Sequence, residues 1–228
     1  GEFVLKKDKS KIKVGPSESM SKSKKNIIDP ESMIKIYGAD AVRWFILSDS
    51  PPEKDVQWSN QGVNASYKFL QKIWHLNSRI LERSDRKGSK EIEEKFNNQF
   101  NGYLLKITNL IENFQLNVVI ANVYEIHHLM SSYLETEVSN LCFIKNLNNF
   151  MKILLPFTPH LAKECLEKLD DKKETWPEID KKFKIKQLVK FVVQINGKTR
   201  EVIEIQKDLP ETHAAEISKK NDKIKKNL

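Results

Sequence analysis

The chain has 228 residues, of which 39% are hydrophobic and 31% are charged, so it can form one large or two small folded domains; its formal net charge of +8 favours a polyanionic partner. Its two cysteines and five histidines lack the CxxC or HxxxH spacing that disulfide frameworks and metal sites show, so neither is predicted. No apolar run reaches the length of a membrane span and no signal core is present, so a cytoplasmic protein is expected.

The first 26 residues are rich in lysine and poor in apolar side chains. Eight lysines there face three acidic residues, which favours an anionic partner, although biased composition alone can also produce a lysine-rich surface. Residues 3–5 and 12–14 are predicted to form short strands around a Lys-Asp-Lys turn, and the Gly-Pro-Ser sequence at 15–17 predicts a loop. This segment is expected to be the edge of a larger domain.

Two helices are predicted next. Asp29 can accept hydrogen bonds from the first amides of a helix that starts at Pro30, and Gly38 supplies its stop. The second helix starts at Ala39 and ends at the two prolines at 51–52, because proline cannot continue the hydrogen-bond ladder. Three residues are expected to form its apolar face: Val42, Phe45 and Ile46.

Apolar residues then recur at three- and four-residue spacings over four long stretches, which predicts four amphipathic helices with short connections, and therefore an antiparallel bundle. A shorter helix over 161–169 is predicted to open at a Thr-Pro-His sequence. The expected core residues of the four long helices are, in chain order, Val63, Tyr67, Leu70, Trp74 and Leu81; Ile92, Phe96, Phe100, Tyr103, Leu104, Ile107, Leu110, Ile111 and Phe114; Val119, Val123, Ile126, Leu129, Met130, Tyr133 and Leu134; Phe143, Leu147, Phe150, Met151 and Leu154.

Beyond Lys186 the period changes to two. Apolar residues alternate over 189–195 and resume over 202–205 around Asn196-Gly197, which predicts a hairpin with a type I′ turn. Residues 214–228 are predicted to form a lysine-rich amphipathic helix. Because two strands and one helix offer little core, we expect this small α/β domain to be truncated.

One segment carries chemistry. Residues 19–26 read Ser-Met-Ser-Lys-Ser-Lys-Lys-Asn, followed by Ile-Asp-Pro at 28–30 and Tyr-Gly-Ala-Asp-Ala-Val-Arg at 37–43. A short lysine–serine string alone is usually a solvated basic loop. With the following helix start at this spacing, the segment resembles the second signature loop of class I aminoacyl-tRNA synthetases. Residues 50–59 are similar to the leucine-specific branch, residues 156–162 to its anticodon-binding helical domain, and residues 193–200 to its C-terminal domain.

The resemblance implies that Lys22 is a catalytic residue that contacts the ATP phosphates, in a phosphate loop completed by Met20, Ser21 and Ser23. Negative charge builds on the phosphate oxygens as pyrophosphate leaves, and a lysine can stabilise it. It also implies that the intact enzyme uses ATP with Mg²⁺, leucine and tRNA(Leu). This chain alone is expected to bind no cofactor tightly, while its bundle and tail are expected to bind tRNA in a salt-sensitive way.

The family's first signature lysine is replaced here by Ser19. Lys24 and Lys25 could supply compensating charge, and Ser21 and Ser23 could form hydrogen bonds that shape the loop.

The resemblance also implies a mainly α fold with four parts. Residues 1–26 end a catalytic domain, 27–60 form helices like those that contact the tRNA stem, 61–180 form a bundle of the anticodon-binding type, and 181–228 start a small tRNA-binding α/β domain. The expected function is that of the C-terminal part of a leucine-specific ligase, inactive alone and monomeric. The alternatives are a stand-alone tRNA-binding module and one subunit of a split synthetase.

Other polar and aromatic residues receive structural interpretations. Of the adjacent His127 and His128, one is predicted to be packed and one solvated, and His160 is predicted to form a cap or a core hydrogen bond. Asp40 and Arg43 share a helical face and form either an ion pair or, through Arg43, a contact with tRNA backbone. Core positions are expected for Trp44, Trp58, Trp74, Trp176, Cys142 and Cys165.

Overall fold

The structure is a computed structural model. It describes residues 3–4, 7–13, 15–16, 18–170, 175–180, 183, 188–195, 198–206, 211–221 and 224. The chain divides into two compact units, Gly1–Asp180 and Lys181–Leu228. The four-part division expected from the sequence stays a prediction.

The described part of the first unit contains one short hairpin and seven helices. The hairpin pairs β1 (Phe3–Val4) with β2 (Lys11–Ile12) in antiparallel fashion, and positions 5 and 14 of the predicted strands lie outside the described residues. The helices are α1 (Pro30–Tyr37), α2 (Ala39–Asp49), α3 (Asn60–Leu81), α4 (Lys90–Glu112), α5 (Leu116–Tyr133), α6 (Asn140–Leu154) and α7 (Pro159–Lys168).

Polar residues fix several of the helix starts. Asp29 accepts hydrogen bonds from the amides of residues 31 and 32 at 3.3 and 3.0 Å, which starts α1 where the sequence predicts. Gly38 ends α1 at a φ of 81°, a conformation that favours glycine. Ser59 and Ser139 accept amide hydrogen bonds at the starts of α3 and α6. These local contacts confirm the predicted order of helices.

A single apolar core joins α2 to α7, but the predicted buried faces of α2 and α3 are partly wrong. In α2, Trp44 is fully buried whereas Ile46 is 45% exposed. In α3, Tyr67 and Leu81 are each 36% exposed, because tyrosine tolerates an edge position and a 3.6-residue period allows neighbouring stripes. The core of α3 is instead formed by Val63, Phe69, Leu70, Ile73, Leu76 and Ile80.

The predicted core position of Phe114 is also wrong. Helix α4 ends at Glu112, and Phe114 lies in the following turn with a φ of 54° and 59% exposure. The turn is closed by the Gln115 amide, which donates to the carbonyl of Leu110 at 2.8 Å. Because the chain reverses here, Phe114 is carried off the apolar face of α4.

The tryptophans and cysteines follow their predicted placement in part. Trp58, Trp74 and Trp176 are half-buried rather than fully buried, and the indole N–H of Trp176 donates to Thr108 Oγ1 at 3.0 Å. Both cysteines are free, Cys142 half-buried and Cys165 buried. Burial raises the pKa of the Cys165 thiol to about 12, so this thiol is protonated at neutral pH.

The second unit contains an antiparallel hairpin and one helix in its described residues. Strand β3 (Leu188–Ile195) pairs with β4 (Lys198–Gln206), with a register shift between Val193 and Gln194. The predicted type I′ turn at 196–197 lies outside the described residues. Helix α8 (Glu211–Lys220) starts three residues before its predicted start, and most of the predicted continuation beyond 220 lies outside the described residues.

The expected mainly α class with a small antiparallel sheet is confirmed. None of the helices in the described ranges has the length and apolar character that a membrane crossing demands.

Candidate functional site

The four predicted phosphate-loop residues, Met20 to Ser23, lead into a turn that covers residues 22–25. The amide of Lys25 donates to the carbonyl of Lys22 at 3.2 Å, and the amide of Lys24 donates to Ser21 Oγ at 3.3 Å. Ser21 Oγ also lies 3.2 Å from Ser23 Oγ. The two serines thus form hydrogen bonds within the loop, whereas the phosphate-binding role of residues 20–23 stays a prediction.

A second set of hydrogen bonds closes the loop through Asn26. Its Oδ1 accepts from the amide of Ser21 at 2.8 Å, and its Nδ2 donates to the carbonyl of Ser19 at 3.4 Å. An asparagine side chain can donate and accept at once, so Asn26, which follows the turn, binds two backbone groups that precede it. Asn26 is part of the motif, but no role is predicted for it from the sequence; the available signal is that asparagine side chains often bind nearby backbone in turns.

The lysines of the loop are not equivalent. Lys24 Nζ forms an ion pair with Glu18 at 2.7 Å. Because Glu18 offsets part of its positive charge, Lys24 is less able to replace the lysine that is missing at Ser19. Lys22 and Lys25 are exposed, and neither has a carboxylate partner among the described residues. Lys25 has a φ of 53°, which costs roughly 1–3 kcal/mol for a residue with a side chain and is held by the surrounding bonds. The arrangement leaves Lys22 available for an anion.

Helix α2 connects this region to the bundle through two side chains with separate partners. Arg43 donates to the carbonyls of Phe157 at 3.1 Å and Pro156 at 2.7 Å. Asp40 accepts from the amide of Leu161 at 2.8 Å and lies 2.9 Å from Nδ1 of His160. The predicted ion pair between Asp40 and Arg43 is therefore wrong, because Arg43 binds the turn between α6 and α7 and Asp40 binds the first turn of α7.

Asp40 replaces a missing cap. Thr158 is the N-cap residue of α7 but forms no side-chain bond to its amides, and Pro159 has no amide hydrogen. The orphan donors at the start of α7 are satisfied from another helix, by a carboxylate whose residue is only 8% exposed. We name the contacts of Asp40 and Arg43 with residues 156–161 the α2 clasp. The predicted capping role of His160 is refined accordingly: its exposed ring binds the capping carboxylate.

The histidine pair on α5 follows its prediction. His128 is exposed, whereas His127 is half-buried with its ring edge-on to Phe69 at a centroid distance of 5.4 Å. Burial is the main reason that the pKa of His127 lies below its usual value. One histidine is packed and one is solvated.

Two known families match parts of the chain. The family described as anticodon-binding domain of tRNA ligase matches residues 93–217, more than half of the chain. The chain belongs to this family. The family described as class I tRNA synthetases (I, L, M and V) matches residues 12–59, which include the lysine loop, α1 and α2.

Among curated proteins, the chain is similar to leucine–tRNA ligases. That of Hyphomonas neptunium is 34% identical over 204 residues, covering 87% of this chain and 24% of the relative. That of Ruegeria pomeroyi is 33% identical over 225 residues, covering 97% and 26%. The chain is a leucyl-tRNA synthetase homologue, and it spans about a quarter of the length of these curated relatives, at their C-terminal side.

A solved structure shows the same fold. It is the LeuRS of Agrobacterium radiobacter K84 (agnB2) in ternary complex with tRNA and LeuAMS. The TM-score is 0.75 and the identity 23%, and the likeness covers 92% of this chain and 29% of that one. The anticodon-binding fold of the chain rests on this likeness together with the family match.

Proposed function

We propose that this chain forms the C-terminal part of a leucine–tRNA ligase, an enzyme that activates leucine with ATP and transfers it to tRNA(Leu). The observation that carries the proposal is the presence in one chain of the lysine loop at 19–26 and an anticodon-binding-type bundle. The similarity to leucine–tRNA ligases over most of the chain supports it. In this proposal the leucine pocket and the rest of the ATP site belong to the part of the enzyme outside this chain.

Within that enzyme, Lys22 stabilises the transition state of leucine activation. When the leucine carboxylate attacks the α-phosphorus of ATP, the bond to pyrophosphate breaks and its negative charge is transferred to the departing oxygens. Lys22 is exposed on a turn that Ser21 and Asn26 hold in shape, so its ammonium can reach phosphate without breaking an ion pair. In the intact enzyme Mg²⁺ would be held by oxygens of the ATP phosphates, where it would offset part of their negative charge.

The bundle and the basic second unit supply tRNA affinity in this proposal. The net charge of +8 supports attraction to the phosphate backbone, and such attraction weakens as salt rises because bound counterions are released. We infer a monomeric enzyme in the cytoplasm, where tRNA charging takes place.

A second candidate is a tRNA-binding module or a split-enzyme subunit. It is favoured by the large apolar core of the first unit, whose described helices pack against one another. In both cases the isolated chain binds tRNA and does not charge it. A start codon directly before the codon of Gly1 supports the second candidate, whereas continuous upstream coding sequence supports the first.

The proposal is tested by replacing Lys22 with alanine in the whole enzyme and measuring leucine-dependent pyrophosphate exchange. Loss of one such preorganised charge lowers the rate by roughly 10²- to 10³-fold. Lys24→Ala is the matched control, because the ammonium of Lys24 already binds Glu18; its rate falls by less than about tenfold. An unchanged rate for Lys22→Ala contradicts the proposal.

A further inference from the structure

An open cavity of about 400 Å³ lies between α3 and α5, and the proposed chemistry does not use it. Its lining residues on α3 recur at three- and four-residue spacings, so they share one helical face, and those on α5 are three apart. Six described residues line it: Ala65, Lys68, Phe69, Lys72, Tyr124 and His127.

One wall of this cavity is a fixed aromatic cluster. Phe69 packs against Tyr124 with ring centroids 3.7 Å apart and planes 30° apart. The buried indole of Trp44 lies beneath both, and its N–H points at Tyr124 Oη at 3.4 Å. Tyr124 is therefore held in place from below while 40% of its surface stays exposed. A preorganised, solvent-facing aromatic ring costs little entropy when a flat ligand stacks on it.

The other wall carries positive charge. Lys68 and Lys72 are exposed, four residues apart on α3, and none of the six described lining residues is acidic. His127 adds a second ring, which is neutral at pH 7 because its pKa is lowered, chiefly by burial. An aromatic surface beside two ammonium groups suits a ligand that has a flat π-system and a negative charge a few ångströms away.

We propose that this cavity binds one nucleotide. Its base stacks on Tyr124 instead of on a neighbouring base, and its phosphate lies between Lys68 and Lys72. A volume of about 400 Å³ lies near the lower end of the roughly 300–1,000 Å³ typical of ligand pockets, the size class of one nucleotide. Stacking of bases on aromatic side chains is independent of sequence, since every base has a π-face. A free mononucleotide and a nucleotide in an RNA strand share this chemistry; the RNA source rests on the proposed function.

The stacking contact is tested with the 228-residue chain and two probes, fluorescent hexaadenylate and AMP. Tyr124→Leu removes the ring and weakens hexaadenylate binding about 5- to 150-fold, the range that one stacked base contributes. Tyr124→Phe keeps the ring and binds within about twofold of the wild type. Tyr103→Leu, the same change on α4 outside the cavity, is the control for a general loss of tyrosine.

The lysine contacts are tested by their salt dependence. For a single strand the slope of log affinity against log salt is roughly −0.7 per neutralised phosphate, so Lys68→Gln/Lys72→Gln, which removes the one phosphate contact of the cavity, makes the slope about 0.7 less steep. The matched control is the double variant Lys95→Gln/Lys106→Gln, which removes the same charge from exposed positions of α4. A change in slope of the same size in both double variants overturns the assignment of phosphate to this cavity.

The remaining outcomes separate the sources. Tighter binding of hexaadenylate than of AMP supports a nucleotide within an RNA strand, and tighter binding of AMP supports a mononucleotide site. If Tyr124→Leu binds both probes as the wild type does, the inference fails while leucine-dependent pyrophosphate exchange by the whole enzyme is untouched. Failure of that exchange with intact Tyr124-dependent binding instead overturns the proposed function alone.

Discussion

The lysine loop and the bundle are stabilised in opposite ways. The side-chain hydrogen bonds of the loop at 19–26, including the one from Lys24 to Glu18, join residues at most seven apart, and seven of its eight residues are exposed. In the α2 clasp the bonds join residues 113 to 121 apart, beside a continuous apolar core. The conformation of the loop is therefore determined by residues close in sequence, whereas the bundle depends on contacts between residues far apart in the first unit.

The largest effect on stability is expected where the clasp is broken. Asp40→Ala leaves the first amides of α7 without a hydrogen-bond acceptor. We expect this loss to lower the free energy of unfolding by about 2–3 kcal/mol. Urea unfolding of the 228-residue chain, followed by circular dichroism at 222 nm, measures it. Asp40→Asn keeps one acceptor oxygen and loses less. A loss below about 0.5 kcal/mol for Asp40→Ala shows that the clasp does not hold α7.

An intermediate effect of opposite sign is expected near the C-terminal end of α3. Asn77 is fully buried and neither amide atom has a hydrogen-bond partner among the described residues. Asn77→Leu removes that unpaired group at similar volume and raises the free energy of unfolding by about 1–2 kcal/mol.

The buried Asn101 is the matched control for Asn77. Its amide donates to the carbonyl of Asn97 and accepts from the amide of Asp180, so Asn101→Leu is destabilising. Unfolding curves for both variants that move in the same direction contradict the distinction between a paired and an unpaired buried amide.

The smallest effect on stability is expected in the loop. Asn26→Ala removes only exposed, local bonds and changes the free energy of unfolding by less than about 0.5 kcal/mol. It leaves Lys22 on an unheld turn, so pyrophosphate exchange by the whole enzyme falls roughly 10- to 100-fold. If the free energy of unfolding and the rate of pyrophosphate exchange both fall, the loop is not structurally independent of the rest of the unit.

Features that depend on neighbouring residues are predictable from the sequence. The start of α1 follows from Asp29 before Pro30, and its end from Gly38, because capping is decided within a few residues. The position of the loop and the hydrogen-bonding role of Ser21 and Ser23 are accessible for the same reason. Whether these residues bind ATP stays a prediction.

Features that depend on distant residues are not. The spacing of Asp40 and Arg43 suits an ion pair. Only the fold brings the α6–α7 turn within reach of Arg43 and the first turn of α7 within reach of Asp40. The exposure of Tyr67 and the burial of Asn77 likewise depend on how α3 is rotated against its neighbours, which periodicity fixes only to within about one residue position. The cavity beside Tyr124 requires two helices that are separated by a third in sequence.

The α2 clasp has a consequence for how the sequence can drift. Arg43 binds two backbone carbonyls, and Asp40 binds a backbone amide besides the ring of His160. Backbone groups are present whatever the side chain, so most substitutions in residues 156–161 leave the clasp intact, provided that the turn keeps its path. The constraint that the clasp itself places on the sequence therefore falls on two positions of α2, while Phe157 and Thr158 are constrained separately by their burial.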